Sequence, residues 1–348
     1  MVSSVARARA SLFLGSRGQV MNALLFLIVA AALFALFTRV LTLGPAFFVQ
    51  ILVYGFANGS IYALVALGYT MVYGIVELIN FAHGDVFTLG GFFALFLVPF
   101  FGLDETSAGT AAVILPLLAI FIVTMLFCGL VNVTIERVAY RPLRHAPRLA
   151  PLITAVGMSF VLEGLMFLWK GPFNIHFPDL LPAQRISIGP ETTVSVKDLM
   201  VIGIAVVLSI ALSLFIDRSK LGKAMRATAQ DRDAAQLMGI DINRTIAATF
   251  FIGAMLAGAG GMIFGLYYNT LVFDLGFSAG LFAFTAAVFG GIGNIQGAAL
   301  GGLIIGIVGS FWDGYFDSTW TQVVIFAILI LVLVFRPTGL LGMRVPEK

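Results

Sequence analysis

The sequence is short of the residues that build water-facing surfaces and catalytic centres. Only 11% of its 348 residues are charged, whereas soluble domains carry about 25%; 60% are hydrophobic, and mean hydropathy is +1.05. A chain of this composition cannot cover a soluble fold and reads as an integral membrane protein. Its single cysteine, Cys128, rules out an internal disulfide and any paired-cysteine metal motif. Its three histidines are scattered, which argues against a metal site. No G-x-x-x-x-G-K-[ST] string occurs; the nearest text, SKLGKAM (219–225), lacks both the spacing and the hydroxyl. G-x-S-x-G and H-E-x-x-H are absent too. The chain is therefore expected to hold no catalytic set, no metal and no cofactor, and to hydrolyse no ATP by itself. The apolar runs are continuous and do not alternate, which argues against a β-barrel.

What is abundant is glycine, with 38 residues, among long apolar runs. That pairing points to closely packed transmembrane helices. Spans are expected near 20–37, 46–74, 84–102, 110–133, 150–169, 197–216, 245–268 and 320–336. Two shorter Gly-interrupted pieces fall near 279–291 and 297–311. The fold class is thus an all-α polytopic bundle of about 8–10 transmembrane segments with broken helices. Lysine and arginine test the map. The N-terminal lead holds three, 137–148 four, 217–244 six and the C-terminal tail three, so sixteen of twenty fall on one side. The positive-inside rule makes that side cytoplasmic and puts both termini there. The basic residues are a topology signal, and the net charge of +3 implies no nucleic-acid partner. The external loop 170–197, with four prolines, is expected to be ordered coil.

The polar stretch Asp217 to Arg244 stands out among the apolar runs. Within it Asp231 can cap a short helix, Ala234, Ala235 and Met238 follow at i+3, i+4 and i+7, and Gly239 supplies a stop. Such a helix suits docking into a groove on a soluble partner. Ionisable and polar groups inside spans default to candidates for a path. Glu77 and Asn80 are i, i+3 on one predicted helical face, with His83 and Asp85 just beyond; Asn58, Tyr73, Asn294 and Gln296 complete the set. Asp85 is expected in the first turn of a helix, where the dipole favours a carboxylate. Glu163 is expected to face the bundle and bond a neighbouring helix. The stretches 72–92 and 288–303 both run from an aromatic-glycine pair to a Gly-Gly doublet, Gly90-Gly91 and Gly301-Gly302. Interrupted segments at matching places in two halves point to an inverted repeat around a binding region.

Several strings resemble the branched-chain amino acid ABC-transporter permeases of the LivH type. They are NGSIYALVALGYTMVYGIVELINFAHGDVFTLGG (58–91), ERVAYRPLR (136–144), LGKAMRATAQDRDAAQLMGIDINR (221–244), AFTAAVFGGIGNIQGAALGGLIIGI (283–307) and FRPTGLLG (335–342). The resemblance runs from about Phe47 onward. It implies a permease domain over 45–340, preceded by a lead and an extra helix in 1–44 and followed by a cytoplasmic tail, 341–348. It also implies a bacterial inner-membrane importer of two permeases, identical or homologous, served by two cytoplasmic ATP-binding subunits and a periplasmic substrate-binding protein. The loop 217–244 then resembles a coupling helix: Asp233, Ala234, Ala235 and Gly239 fit a Glu-Ala-Ala…Gly pattern with Asp in place of Glu, supported by Arg226, Asp231 and Met238. Glu77 departs from the small or apolar residue expected there, and relatives of this family import urea, amides and aromatic acids. An ion-coupled secondary transporter with Glu77 and Asp85 as proton carriers is the rival class; a channel would need a repeated selectivity filter, and no such string occurs.

Overall fold

The computed structural model describes residues 38–77, 79–104, 111–144, 146–147, 149–182, 184–187, 192–336 and 338–342. The expected span at 20–37 lies outside them. The chain forms two units, Met1–Gln50 and Ile51–Lys348. In the first, residues 38–43 and the start of the next helix are helical. The second unit holds the helical bundle.

Eight helices among the described residues are long and apolar enough to cross a membrane, and a ninth apolar helix is shorter. In chain order the helices are α1 (Pro45–Val76), α2 (Ala82–Leu97), α3 (Ile114–Ile135), α4 (Leu149–Lys170), α5 (Val196–Arg218), α6 (Lys220–Gln230) and α7 (Arg232–Leu237). Then come α8 (Ile242–Tyr268), α9 (Leu275–Gly290), α10 (Ile295–Tyr315) and α11 (Thr321–Phe335). The piece expected to be short near 297–311 is a full span, because its helix runs on through Gly306, Gly309 and Gly314. The loop 170–197 is not pure coil. It forms β1 (Ile175–His176), β2 (Arg185–Ser187) and β3 (Thr193–Ser195); β1 pairs antiparallel with β4 (Thr270–Leu271), and β2 with β3. Its hydrogen bonds thus go to backbone partners, as a segment covering one end of a bundle requires.

The core is glycine packed against backbone. A Cβ on Gly59 would lie 2.7 Å from Leu303 Cα, and one on Gly302 would overlap Ala63 Cα, which brings α1 and α10 into backbone contact. Gly90 meets Gly258 and Gly261 meets Phe87, which does the same for α2 and α8. Helices in lipid gain nothing from hiding apolar side chains from one another, so close backbone approach supplies the attraction. Cys128 is buried beside Gly90 and Gly258 and serves as a small filler at the junction of α2, α3 and α8.

Two helices are broken in the same way. Helix α1 ends at Glu77, with φ 56°, and α8 ends at Asn269, with φ 54°; among the described residues these are the non-glycine residues with positive φ. Each N–H closes the last turn, Glu77 onto Tyr73 O at 2.8 Å and Asn269 onto Gly265 O at 2.9 Å. After each break the chain turns back and starts a 16-residue helix, α2 or α9. These two meet head to head. A Cβ on Gly84 would overlap Gly276 O, and one on Gly276 would lie 2.6 Å from Gly84 O. The contact is reciprocal, and Gly84 is as far in sequence from Gly276 as Glu77 is from Asn269. A pseudo-two-fold axis therefore passes between the two glycines, with α1–α2 and α8–α9 as mates.

This shifts the repeat read from the sequence. By that spacing and contact, 72–92 corresponds to the stretch from the end of α8 into α9 rather than to 288–303. The Gly-Gly doublets mislead because they do different jobs: Gly90 and Gly91 face α8, while Gly301 faces Ala286 of α9 and Gly302 faces α1. The two segments still touch, through Gly74 and Gly293, but at the end of α1 and not halfway along it.

The junction predicts two outcomes. Gly84→Ala or Gly276→Ala forces a methyl into backbone and should lower the melting temperature of the purified protein by an amount matching about 1–3 kcal/mol or more. Gly157→Ala and Gly164→Ala, where a Cβ meets nothing within 4 Å, should leave it in place. At the breaks, Glu77→Gly and Asn269→Gly should keep the assembled yield, while Glu77→Val and Asn269→Val should lower it, since a β-branched residue is a poor fit at positive φ. Equal melting of all four glycine variants would refute the head-to-head contact.

Candidate functional site

The residues singled out near the first break do gather there, but not on one helical face. Helix α1 stops at Val76, so Glu77 lies past its end, exposed, and Asn80 lies in the non-helical link. Tyr73 sits half-buried in the last turn. Asn80 is buried, accepts from Tyr140 Oη at 2.7 Å and donates to Asn132 Oδ1 at 3.4 Å. Asn132 in turn donates to Phe250 O at 2.9 Å, so this chain of amides ties the link to α3 and α8. The structure thus gives Asn80 full employment as a pin.

Beyond the link, α2 opens with His83 and Asp85, both buried. The His83 ring packs edge-on to Tyr69, with centroids 4.7 Å apart, and against Gly68 of α1, which lies beside Gly253 of α8. The start of α2 therefore lies deep in the bundle. Asp85 is in the first turn, as expected. Its Oδ2 accepts from Ser159 Oγ of α4, and its Oδ1 is buried without a hydrogen-bond partner. Glu163 stands one turn beyond Ser159 on α4, half-buried. Tyr69 Oη comes near Gly280 of α9, where an added Cβ would be 3.1 Å away. Tyr69, His83, Asp85 and Ser159 thus ring the place where the two half-helices meet.

The remaining path candidates lie elsewhere. Asn58 belongs to a polar cluster towards the other end of α1, donating to Ser310 Oγ at 3.0 Å and accepting from Tyr268 Oη at 2.5 Å. Asn294 caps α10 through Gly297 N–H at 2.9 Å and donates to Leu341 O at 2.8 Å, which holds the tail against the α9–α10 turn. Gln296 is exposed at that same end. None of the hydrogen bonds that hold them reaches Tyr69, His83, Asp85 or Ser159.

The polar stretch holds two helices where its pattern suggests one. Helix α6 follows α5 after a sharp corner at Ser219, whose hydroxyl caps Gly222 N–H at 2.8 Å. Gly222 lies so close to Ile216 that a Cβ would overlap its carbonyl oxygen. Arg226 reaches back to Ile216 O and to Asp217, neutralising carbonyls at the end of α5. Asp231 then caps α7, accepting from Asp233 N–H at 2.9 Å and Ala234 N–H at 3.0 Å, and Gly239 takes φ 84° at its end. Asp233 and Ala234 are exposed, but Ala235 is buried and packs inward. The apolar face that reaches solvent is Leu237, 89% exposed, with Met238, 83% exposed. Leu237 is legible as half of a Leu-Met pair before the stop, yet the alanine pattern draws attention away from it.

One residue has no sequence signal for its role. Arg232 of α7 donates to Val76 O at 2.8 Å and Ile75 O at 3.3 Å. Those are carbonyls left unpaired at the end of α1, immediately before the break, and the guanidinium meets the negative end of the helix dipole. Its partners lie more than 150 positions away in sequence, beyond the reach of any local pattern. At the same end of the bundle Glu136, buried, pairs with Arg144, which also donates to Asn243 at 2.6 Å. Burial draws the Arg144 guanidinium below its ordinary pKa, and the Glu136 carboxylate opposes that shift. Among the described residues, no three His, Cys, Asp or Glu side chains gather as a metal site.

Comparison with known proteins covers the same region. Residues 51–333 match the family described as branched-chain amino acid transport system / permease component. The high-affinity branched-chain amino acid transport system permease protein BraD of Pseudomonas aeruginosa is 43% identical over 86% of this chain and 98% of its own length. The corresponding LivH protein of Escherichia coli K12 is 39% identical over 87% of this chain and 98% of its own. An autoinducer 2 import system permease, LsrC of Klebsiella pneumoniae, is 26% identical over 87% of this chain and 83% of its own. No solved structure matches significantly. These are transport permeases and not enzymes. With eight helices among the described residues long enough to span a membrane, and a family match across the bundle, the chain belongs to the permease components of branched-chain amino acid transport systems, a multi-pass inner-membrane family.

Proposed function

We propose that this chain is the membrane-spanning subunit of an ATP-driven importer and moves branched-chain or related amino acids inward by alternating access. The observation that carries the reading is the pairing of two features on α7. Leu237 and Met238 present an apolar tip to solvent, and Arg232, on the same short helix, grips the end of α1 at the break. A soluble partner that seats the tip thereby holds a lever on the broken helix. The six cations of 217–244 support a cytoplasmic place for this helix, where two ATP-binding subunits dock, each against one permease. The second permease is a like or identical chain, and a periplasmic binding protein delivers cargo to the opposite face. ATP is bound by the partner subunits alone.

The path is proposed at the junction of α2 and α9. There the bundle is packed shut, Gly84 on Gly276. Parting the two would uncover two helix N-termini, which favour a carboxylate, and Asp85, whose buried oxygen lacks a partner and fits an ammonium group. That is the polarity of a zwitterionic amino acid, with Tyr69 and His83 alongside. ATP-driven closure of the partner subunits moves α7. Arg232 carries that movement to Ile75 and Val76, and the chain swivels at Glu77 to shift α2. Asn58 and the outer polar cluster line the entry, and Glu77, exposed past α1, faces the exit.

In vesicles holding this chain, its partner permease, the ATPases and the binding protein, leucine uptake should require ATP. Uptake driven by a proton gradient with the ATPases left out would instead establish secondary transport. Arg232→Gln should lower uptake about tenfold, the worth of a charge-assisted hydrogen bond, while the complex stays assembled. Leu237→Asp with Met238→Asp should release the ATPases from the purified complex. Full uptake by Arg232→Gln would show that α7 drives transport by another route.

A further inference from the structure

We propose that a groove between α3, α6 and α8 binds the phosphate of an anionic phospholipid, with an acyl chain lying along α3. The groove has a volume of about 700 Å³; Leu130, Val133, Phe251 and Ile252 form its apolar wall, and Arg137, Arg141 and Arg244 stand around it.

The charge in the groove is uncompensated. Residues 136–140 form a π-helical turn, in which Arg141 N–H bonds Glu136 O. Glu136 is buried on the inner side and is taken by Arg144. That leaves Arg137 and Arg141, both exposed, with no carboxylate partner among the described residues. The one carboxylate in the groove is Asp241, and both its oxygens are engaged by Arg244, Oδ1 by the backbone N–H at 3.0 Å and Oδ2 by Nε at 3.1 Å. Three guanidiniums thus face one carboxylate. The π turn follows α3 and leads into a 3-10 turn at Arg141–Leu143, and such local irregularity is frequent at functional sites.

The apolar side matches a lipid better than a soluble anion. On α3, Ile122, Leu126 and Leu130 are exposed at four-residue intervals, so they form a lane that runs along a membrane-spanning helix into the groove. A ligand filling both parts needs a tail along the lane and a negative group at its end, where the arginines stand. Guanidinium forks bind phosphate oxygens well, and basic pockets between helices at a membrane face favour anionic headgroups. Inorganic phosphate would fill only the charged part, and a second copy of the chain would cover the lane without meeting the arginines.

The test uses the full chain, purified with its co-purifying subunits, stripped of lipid and titrated with dioleoyl phosphatidylglycerol or dioleoyl phosphatidylcholine. Bound lipid is counted by native mass spectrometry and melting is followed in parallel. The glycerol lipid should bind and stabilise in preference to the choline lipid, and inorganic phosphate should do neither. Arg137→Gln with Arg141→Gln should weaken phosphatidylglycerol binding about fivefold for each charge removed. Lys220→Gln with Lys223→Gln, on the exposed side of α6 outside the groove, should leave it unchanged. Equal binding of both lipids, or unaltered phosphatidylglycerol binding in the double arginine variant, would overturn the proposal. So would protection by inorganic phosphate alone, or efficient cross-linking of Leu130→Cys to a second copy, which would assign the groove to a free anion or to a protein interface.

Discussion

The structure depends on bringing two helix N-termini face to face inside a membrane protein. Like ends of two helix dipoles repel, and each first turn leaves N–H groups unpaired. Two things make the arrangement possible at Gly84 and Gly276. The absence of side chains lets backbone meet backbone, so dispersion acts at full contact. The buried carboxylate of Asp85, in the first turn of α2, places negative charge where two positive ends converge. Ser159 holds one of its oxygens from a third helix. On the α9 side Phe277 occupies the matching position, so the charge is supplied once for both helices. The other Asp85 oxygen, Oδ1, stays buried without a hydrogen-bond partner beside the two helix starts.

Around that junction the two halves mirror each other, but they are fastened differently. The break at Asn269 is held from the loop that covers one end of the bundle. Asn269 exchanges backbone and side-chain bonds with Phe177, and Lys197 donates to Asn269 Oδ1 at 3.1 Å while pairing with Asp179 at 2.7 Å. The break at Glu77 is held from α7 by Arg232 at the other end. Each break is thereby tied to a different end of the bundle.

Much of this is legible in the sequence, and the rest is not, for physical reasons. Span positions follow from hydropathy because lipid leaves helices as the way to satisfy the backbone. The cap at Asp231, the stop at Gly239 and the first-turn place of Asp85 follow from local chemistry. The end of α1 at Val76 does not, since Glu77 is no usual residue for positive φ and its apolar neighbours suggest continued helix. Asn80 looks like a path residue because it is polar in an apolar stretch, yet its partners, Tyr140 and Asn132, come from another part of the fold. The register of the repeat is easily misread because Gly-Gly doublets recur wherever helices cross closely, symmetric or not. Arg232 is one cation among six until the fold brings α1 beneath it.

The central claim is that movement of α7 reaches the junction through the end of α1. Hydrogen exchange of the assembled transporter, with and without a non-hydrolysable ATP analogue, tests it most directly. The account predicts that amides in the peptide covering 73–82 change their exchange rate when nucleotide binds, and that Arg232→Gln abolishes this change while the ATPases stay bound. Exchange in 73–82 that is blind to nucleotide, or a response that survives Arg232→Gln intact, would contradict it.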